Sequence, residues 1–375
     1  LTFKHILLYY FINRRNREVK MKTLYIGSTE PYAGKGWVTL ALGLKLKEKG
    51  LKLGYFRPVG TIPIKVKDFT TDEDAVYLNR TLNLGLDEKL LSPVLLTGEL
   101  ITNAMSGKTP LQNLTQTIKD AFQKISQNKD LVLVGGAGAF LITGSALGLS
   151  GLRVAQMLEA KILLLTRYTP NIIDEISTVA ERLNTSLIGL IINAIPQEKL
   201  NYVRNMTVPY LSGKKINVLG TVPYDRILGS LTVGEVTENL NSEIITGENK
   251  TSDLIEHFLV GAMTVESAMK YFQMTTDKAV ITGGDRSDIQ LAALDTPTTC
   301  LILTGNLKPS QEVLNKAKGK SVPIILVKAD TLTTVEKVDQ LVGKLPVRAE
   351  KKVSQANKLF DQYVDFSRIC SALGV

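Results

Sequence analysis

Histidine and cysteine are scarce in this chain, with two of each among 375 residues. With only His5 and His257, imidazole-based catalysis and histidine-ligated metal centres drop out as leading readings. Cys300 sits in an apolar run and Cys370 near the end, a placement that offers neither a disulfide framework nor metal-ligand spacing. Both read as reduced core residues, which points to a cytoplasmic protein. Long apolar runs are missing too. The stretch from Ile6 to Ile12 is too short to span a bilayer, and charge follows it rather than a small-residue cleavage site. Membrane association is not expected. The net charge is +9, yet no basic stripe interleaved with aromatics occurs, so nucleic-acid binding is not expected either.

Hydrophobic content of 44% with 22% charged residues suits a globular chain with room for two domains. Residues 1–20 precede Met21 and are expected to be an over-extended or disordered start. From Met21 onward, short β-rich runs alternate with helical stretches. Strands are predicted at 22–27, 51–56, 130–135, 161–166, 187–193 and 216–220, with helices at 35–49, 72–81, 109–127, 150–159, 171–183 and 197–207. Continuously apolar strands separated by helices imply a parallel sheet covered on both faces. The predicted class is α/β: a P-loop NTPase-like parallel-sheet domain over 21–238, then a smaller α/β domain over 245–355 and a helical tail at 356–375. The polar stretch 236–252 reads as the linker between them.

Residues 22–37, KTLYIGSTEPYAGKGW, carry the most chemistry. A strand runs into Gly27 and a turn-rich segment, and Gly34 and Lys35 open a helix. In a phosphate-binding loop, glycines let backbone N–H groups close on phosphate oxygens, a lysine adds charge, and the next Ser or Thr supplies a hydroxyl to Mg²⁺. Here that next residue is Gly36. The loop should attract an anion but lacks one metal ligand. Trp37, the only tryptophan, serves either packing or ligand stacking.

The first domain resembles dethiobiotin synthetase, and more closely the N-terminal domain of long phosphotransacetylases. The resemblance rests on STEPYAGKG at 28–36, GYFRPVG at 54–60, DEDAVYLNR at 72–80, LVLVGGAG at 131–138, IINAIP at 191–196 and LGTVPYDRIL at 219–228, in that order. It implies ATP or another nucleotide on the loop, Asp74 as a Mg²⁺ carboxylate and Asn193 near adenine. Asp74 near a helix start also reads as a cap, and Asn193 as turn chemistry. Departures from the family pattern matter as much. Arg57 replaces the lysine of a Lys-Pro-Val motif, and a guanidinium does not reproduce a compact ammonium. Gly135 stands where the family has a second Mg²⁺ carboxylate. Losing two of three metal ligands implies a rate loss on the order of 10³-fold or more. Impaired Mg²⁺ binding is therefore expected.

Residues 278–294, KAVITGGDRSDIQLAAL, resemble a DRTGG domain, with Ser287 in place of Thr and the motif order permuted. Gly283, Gly284, Asp285 and Arg286 form either an anion-receptive turn or a structural turn at an interface. The acyl-transfer domain that follows these modules in long phosphotransacetylases is not seen in the sequence, so that activity is not expected. The expectation is a regulatory or sensor protein, a degenerate nucleotide-binding domain coupled to a DRTGG module. The alternative is an active ATP-dependent carboxylate-amine ligase or cyclo-ligase. Expected partners are a nucleotide or small anionic ligand, a protein partner and further copies of the chain in a homo-oligomer.

Overall fold

A strand buried on both faces is apolar through its centre, and four segments show this. Strands β1 (Lys22–Ser28), β5 (Leu131–Gly135), β6 (Lys161–Arg167) and β7 (Leu187–Ile195) place Leu24, Ile26, Leu131 to Val134, Leu163 to Leu165 and Leu190 to Ile192 fully out of solvent. With β2 (Leu53–Phe56) and β8 (Val218–Pro223) they form a six-stranded sheet of order β8-β7-β6-β1-β5-β2, parallel throughout. Parallel neighbours require crossover connections. Helices supply them, among them α1 (Lys35–Glu48), α3 (Leu111–Ile125) and α5 (Ile172–Ala180). The register pairs Ile26 with Gly135, Ser28 with Leu165 and Arg167 with Asn193. The ends of β1, β5, β6 and β7 thus meet at one carboxyl edge, where open parallel sheets bind ligands.

The computed structural model describes residues 21–108, 110–183, 186–343 and 347–375; the expected over-extended start at 1–20 lies outside them. The chain divides into two compact units. One comprises residues up to Tyr224 together with Asn357–Val375, the other Asp225–Ala356. The last residues, expected from the sequence to be a helical tail, are largely helical and belong to the first unit. The cause is apolar: Phe360, Val364, Ile369, Cys370 and Leu373 of this segment are buried. Helix α11 (Phe366–Leu373) also packs on β7, and its end is held by Lys22 and Lys161 through the carbonyls of Gly374 and Ala372.

Two local readings need correction. Residues 57–71, given no element in the sequence reading, hold most of an antiparallel hairpin of β3 (Pro63–Val66) and β4 (Phe69–Asp72) that leads into α2 (Glu73–Thr81). The polar stretch 236–252, read as a linker, instead contains the end of α6 (Val233–Asn239) and strand β9 (Glu243–Thr246). A reciprocal cap explains the helix: Thr232 Oγ1 accepts from the Glu235 N–H at 3.0 Å, and the Glu235 carboxylate accepts from the Thr232 N–H at 2.7 Å.

In the second unit, β9, β10 (His257–Val260), β11 (Lys278–Gly283), β12 (Thr298–Thr304) and β13 (Ile324–Leu326) form a sheet of order β9-β13-β12-β11-β10. Only β9 runs antiparallel. Side chains alternate across the sheet. Val280, Leu301 and Leu303 pack under α7 (Val265–Met274), α8 (Ser287–Leu294) and α9 (Gln311–Lys320), whereas Ala279, Ile281, Cys300 and Ile302 pack with α6 and α10 (Thr331–Leu341).

Candidate phosphate-binding site

The loop between β1 and α1 is closed by its own lysine. Lys35 Nζ donates to Ser28 Oγ at 2.6 Å and to the Gly138 carbonyl at 2.7 Å. Ser28 Oγ in turn donates to the Glu30 carbonyl at 2.5 Å. Thr29 Oγ1 reaches Thr166 Oγ1 on β6 at 3.0 Å, and Asn193 Nδ2 on β7 donates to the Ala33 carbonyl at 2.9 Å. The loop is therefore braced from two neighbouring strands. Asn193 is part of the brace.

Gly34 caps α1 in the left-handed region at φ 103° with no side-chain cap bond, and the first turn carries no acid. A Cβ there would strike the Asn193 amide and lie 2.6 Å from Trp37 Nε1. Both the backbone conformation and the space demand glycine. Trp37 is buried against this turn at 4% exposure. Gly36 is exposed, with nothing near the position of a Cβ.

Burial, reinforced by the Arg57 charge, pushes the Lys35 ammonium down to about 7, against the opposing pull of Asp74 and Glu30. A positive charge at a helix N-terminus is also opposed by the helix dipole. This lysine is poised to gain from an added anion. Glu30 at the loop tip is held above the usual carboxylate range by burial and by Glu175, with Arg167 and Lys35 opposing.

Arg57 follows β2 and is itself buried. Its Nε lies 3.0 Å from Asp72 Oδ1, and its Nη2 is 3.6 Å from Asp74 Oδ2 and donates to Thr61 Oγ1 at 3.3 Å. Asp72 is fully buried and accepts from the N–H groups of Thr61, Ile62 and Ala75. Burial pulls the guanidinium down, but Asp72, Tyr55 and Asp74 together hold it above its ordinary value. The carboxylate that organises this corner is thus Asp72, two residues before the one singled out from the sequence. A Thr-Thr-Asp run before a helix was a legible cap signal.

The residues present fit a phosphate group but not a full Mg²⁺ site. Position 36 has no hydroxyl. At position 135, which holds no carboxylate, a Cβ would collide with the Tyr55 hydroxyl. Asp74 is engaged beside Arg57. Among the described residues, no group of three His, Cys, Asp or Glu is placed to hold a metal ion.

In the second unit the Gly283–Arg286 turn is held from beneath. Gln290, fully buried, donates to the carbonyls of Gly283 and Gly284 at 2.8 and 3.1 Å. A Cβ on Gly284 would overlap the Leu307 carbonyl. Arg286 makes a two-pronged pair with Asp288, both bonds 2.9 Å, and donates to the Met263 carbonyl at 3.1 Å. Asp285 follows the two glycines at the surface. Sequence reasoning missed Gln290, whose burial depends on the fold rather than on any local pattern.

The profile of a family described as an AAA domain matches residues 22–232. The chain belongs to that family. In this AAA-domain protein a second profile, described as a DRTGG domain, matches residues 235–341. Relatives include a phosphate acetyltransferase of Synechocystis sp., 25% identical over 94% of this chain and 52% of its own length. Another, from Nitratidesulfovibrio vulgaris, is 24% identical over 93% of this chain and 51% of its own. The chain spans about half the length of these relatives. An ATP-dependent dethiobiotin synthetase of Methanococcus vannielii is 30% identical over 32% of this chain and 53% of that protein. Among solved structures, the CBS and DRTGG regulatory region of Clostridium perfringens pyrophosphatase, complexed with diadenosine tetraphosphate, aligns with 42% of this chain and 74% of its own. Its identity is 18% and its TM-score 0.29. Among the described residues no helix is long and apolar enough to cross a membrane.

Proposed function

We propose that the AAA domain is a receptor for a nucleotide or another small phosphate-bearing ligand, that it has lost magnesium-dependent phosphoryl transfer, and that it acts in regulation together with the DRTGG module. One observation carries this reading. The loop keeps Gly34 and a half-buried Lys35 on protein acceptors at 2.6 and 2.7 Å, while the positions for two metal ligands hold only Gly36 and a Gly135 shut by Tyr55. An arriving phosphate would take over Lys35 from Ser28 and Gly138 and meet the uncapped N–H groups of α1. Phosphoryl transfer depends on positioning and on neutralisation by a metal, and glycines at positions 36 and 135 leave Asp74 alone of the three expected metal ligands. Homo-oligomer formation and a cytoplasmic setting, consistent with two unpaired buried cysteines, belong to the same proposal. Light scattering checks the first.

Calorimetric titration with ATP, ADP and inorganic phosphate, with and without Mg²⁺, tests the reading. Binding is expected to require Lys35 and to respond little to the metal. Tightening by about 100-fold with Mg²⁺, about 2.8 kcal/mol, would overturn it. So would rapid ATP turnover, which would favour an ATP-dependent ligase of the kind named among the relatives.

A further inference from the structure

The free side of edge strand β8 faces a cleft of about 400 Å³, remote in the sheet order from the phosphate loop's strand. One wall is β8 itself, at Val218 to Thr221, and the other is the segment from Gln362 to Asp365. The segment touches the strand by a single antiparallel bridge, Gly220 with Val364, and the Asp365 N–H donates to the Leu219 carbonyl at 2.7 Å. Two arginines flank the opening. Arg204 Nε donates to Thr221 Oγ1 at 3.2 Å, with the guanidinium over the Tyr363 ring at 5.7 Å. Arg368 donates to the Val218 carbonyl at 3.4 Å and to Asn217 Oδ1 at 3.3 Å. Among the described residues these bonds engage only part of the fork each guanidinium presents. Asp365 is the one acid in the lining, and it caps α11 through the Arg368 N–H at 2.9 Å. The cleft is therefore net positive, and Val208, Leu219 and Val364 contribute apolar lining.

The backbone around it is irregular on two independent elements. Helical residues 200–213 pass through a π turn at Val203–Thr207, which contains Arg204. Strand β8 shifts register against β7 between Val218 and Gly220 and again between Thr221 and Pro223. π turns and bulges re-aim side chains and recur beside functional sites.

We infer that this cleft is a second ligand site, for a small organic anion, a carboxylate or phosphate monoester joined to an apolar or aromatic body. The arginines lining the cleft offer charge-assisted hydrogen bonds to the anionic head, and its apolar lining takes the body.

Titration of the full chain with phenyl phosphate, benzoate and uncharged benzyl alcohol, followed by calorimetry, tests the assignment. Saturable binding of at least one of the two anions is expected, with none for the alcohol; which anion binds distinguishes phosphate from carboxylate recognition. The affinity should persist in Lys35→Ala, which removes the loop's cation. It should fall by about 10-fold or more in Arg204→Gln with Arg368→Gln, given the worth of a charged hydrogen bond. Unchanged circular dichroism and melting of that double variant would show that the loss is not unfolding. Absence of saturable binding by both anions overturns the proposal. So does affinity that vanishes in Lys35→Ala yet survives in the arginine variants.

Discussion

The Tyr55 hydroxyl occupies the space that a side chain at Gly135 would need. The two lie on adjacent parallel strands, β2 and β5, and the phenol is completely buried beside Arg57. A glycine that reads in sequence as a lost carboxylate is in the fold a glycine that makes room for a tyrosine.

Gly135→Ala is therefore expected to destabilise the protein by about 1–3 kcal/mol, the range for overpacking a filled interior. In a Tyr55→Phe background the penalty should shrink, because the next ring atom stands 3.1 Å from the added carbon. Urea denaturation of both singles and the double measures the coupling. Equal penalties in both backgrounds would mean that Tyr55 is not the obstacle.

Gly34 and Gly36 should behave oppositely. Gly34→Ala combines a left-handed backbone with collisions against Asn193 and Trp37, so a loss of more than about 1 kcal/mol is expected. Gly36→Ala meets open space at the start of α1 and should be neutral or stabilising by up to about 1 kcal/mol. Thermal melts of the two variants compare them directly.

The depressed Lys35 pKa of about 7 makes two signed predictions. The unfolded chain holds this proton up to the ordinary lysine range near 10.4, so above pH 7 it binds more protons than the folded chain. Stability then rises with pH from this group across roughly pH 7 to 10, and the burial penalty on the charged form is fully present below that window. A bound anion restores the charge. Near pH 8 to 9 phosphate binding should take up protons, seen as a dependence of the calorimetric heat on the buffer's ionisation enthalpy. Lys35→Met should abolish both effects.

Asn193→Ala removes the bond to the Ala33 carbonyl. With a net worth of about 1 kcal/mol for such a bond, phosphate affinity should drop several-fold while the sheet stays intact. An unchanged affinity would show that Gly34 and Trp37 hold the loop without it.

Asp72→Ala should be the most damaging single change in this corner. It strands the buried Arg57 charge and three backbone N–H donors, and breaking a buried pair typically costs about 3–5 kcal/mol. Asp74→Ala, at 3.6 Å from the same guanidinium and partly exposed, should cost far less. Denaturant midpoints of the two variants separate the roles.

Much of this protein is determined by local pattern. Continuous apolar runs such as Leu131 to Val134, alternating with helices, are enough for a parallel sheet, because burial on both faces leaves no polar position to mark a side. The glycines of residues 27–36 likewise mark a tight turn before a helix, and Gly34 takes a left-handed backbone that few other residues tolerate. The hairpin at 63–72 and strand β9 were not legible, being short and half-exposed with no strong period. Only the tertiary structure decided the partnerships. Asn193 braces a carbonyl 160 residues away, Tyr55 fills the space beside Gly135, Asp72 is the nearer of two carboxylates on Arg57, and residues 357–375 return to the first unit. Each depends on which strands become neighbours. Periodicity encodes which face of a segment is buried, not what it is buried against.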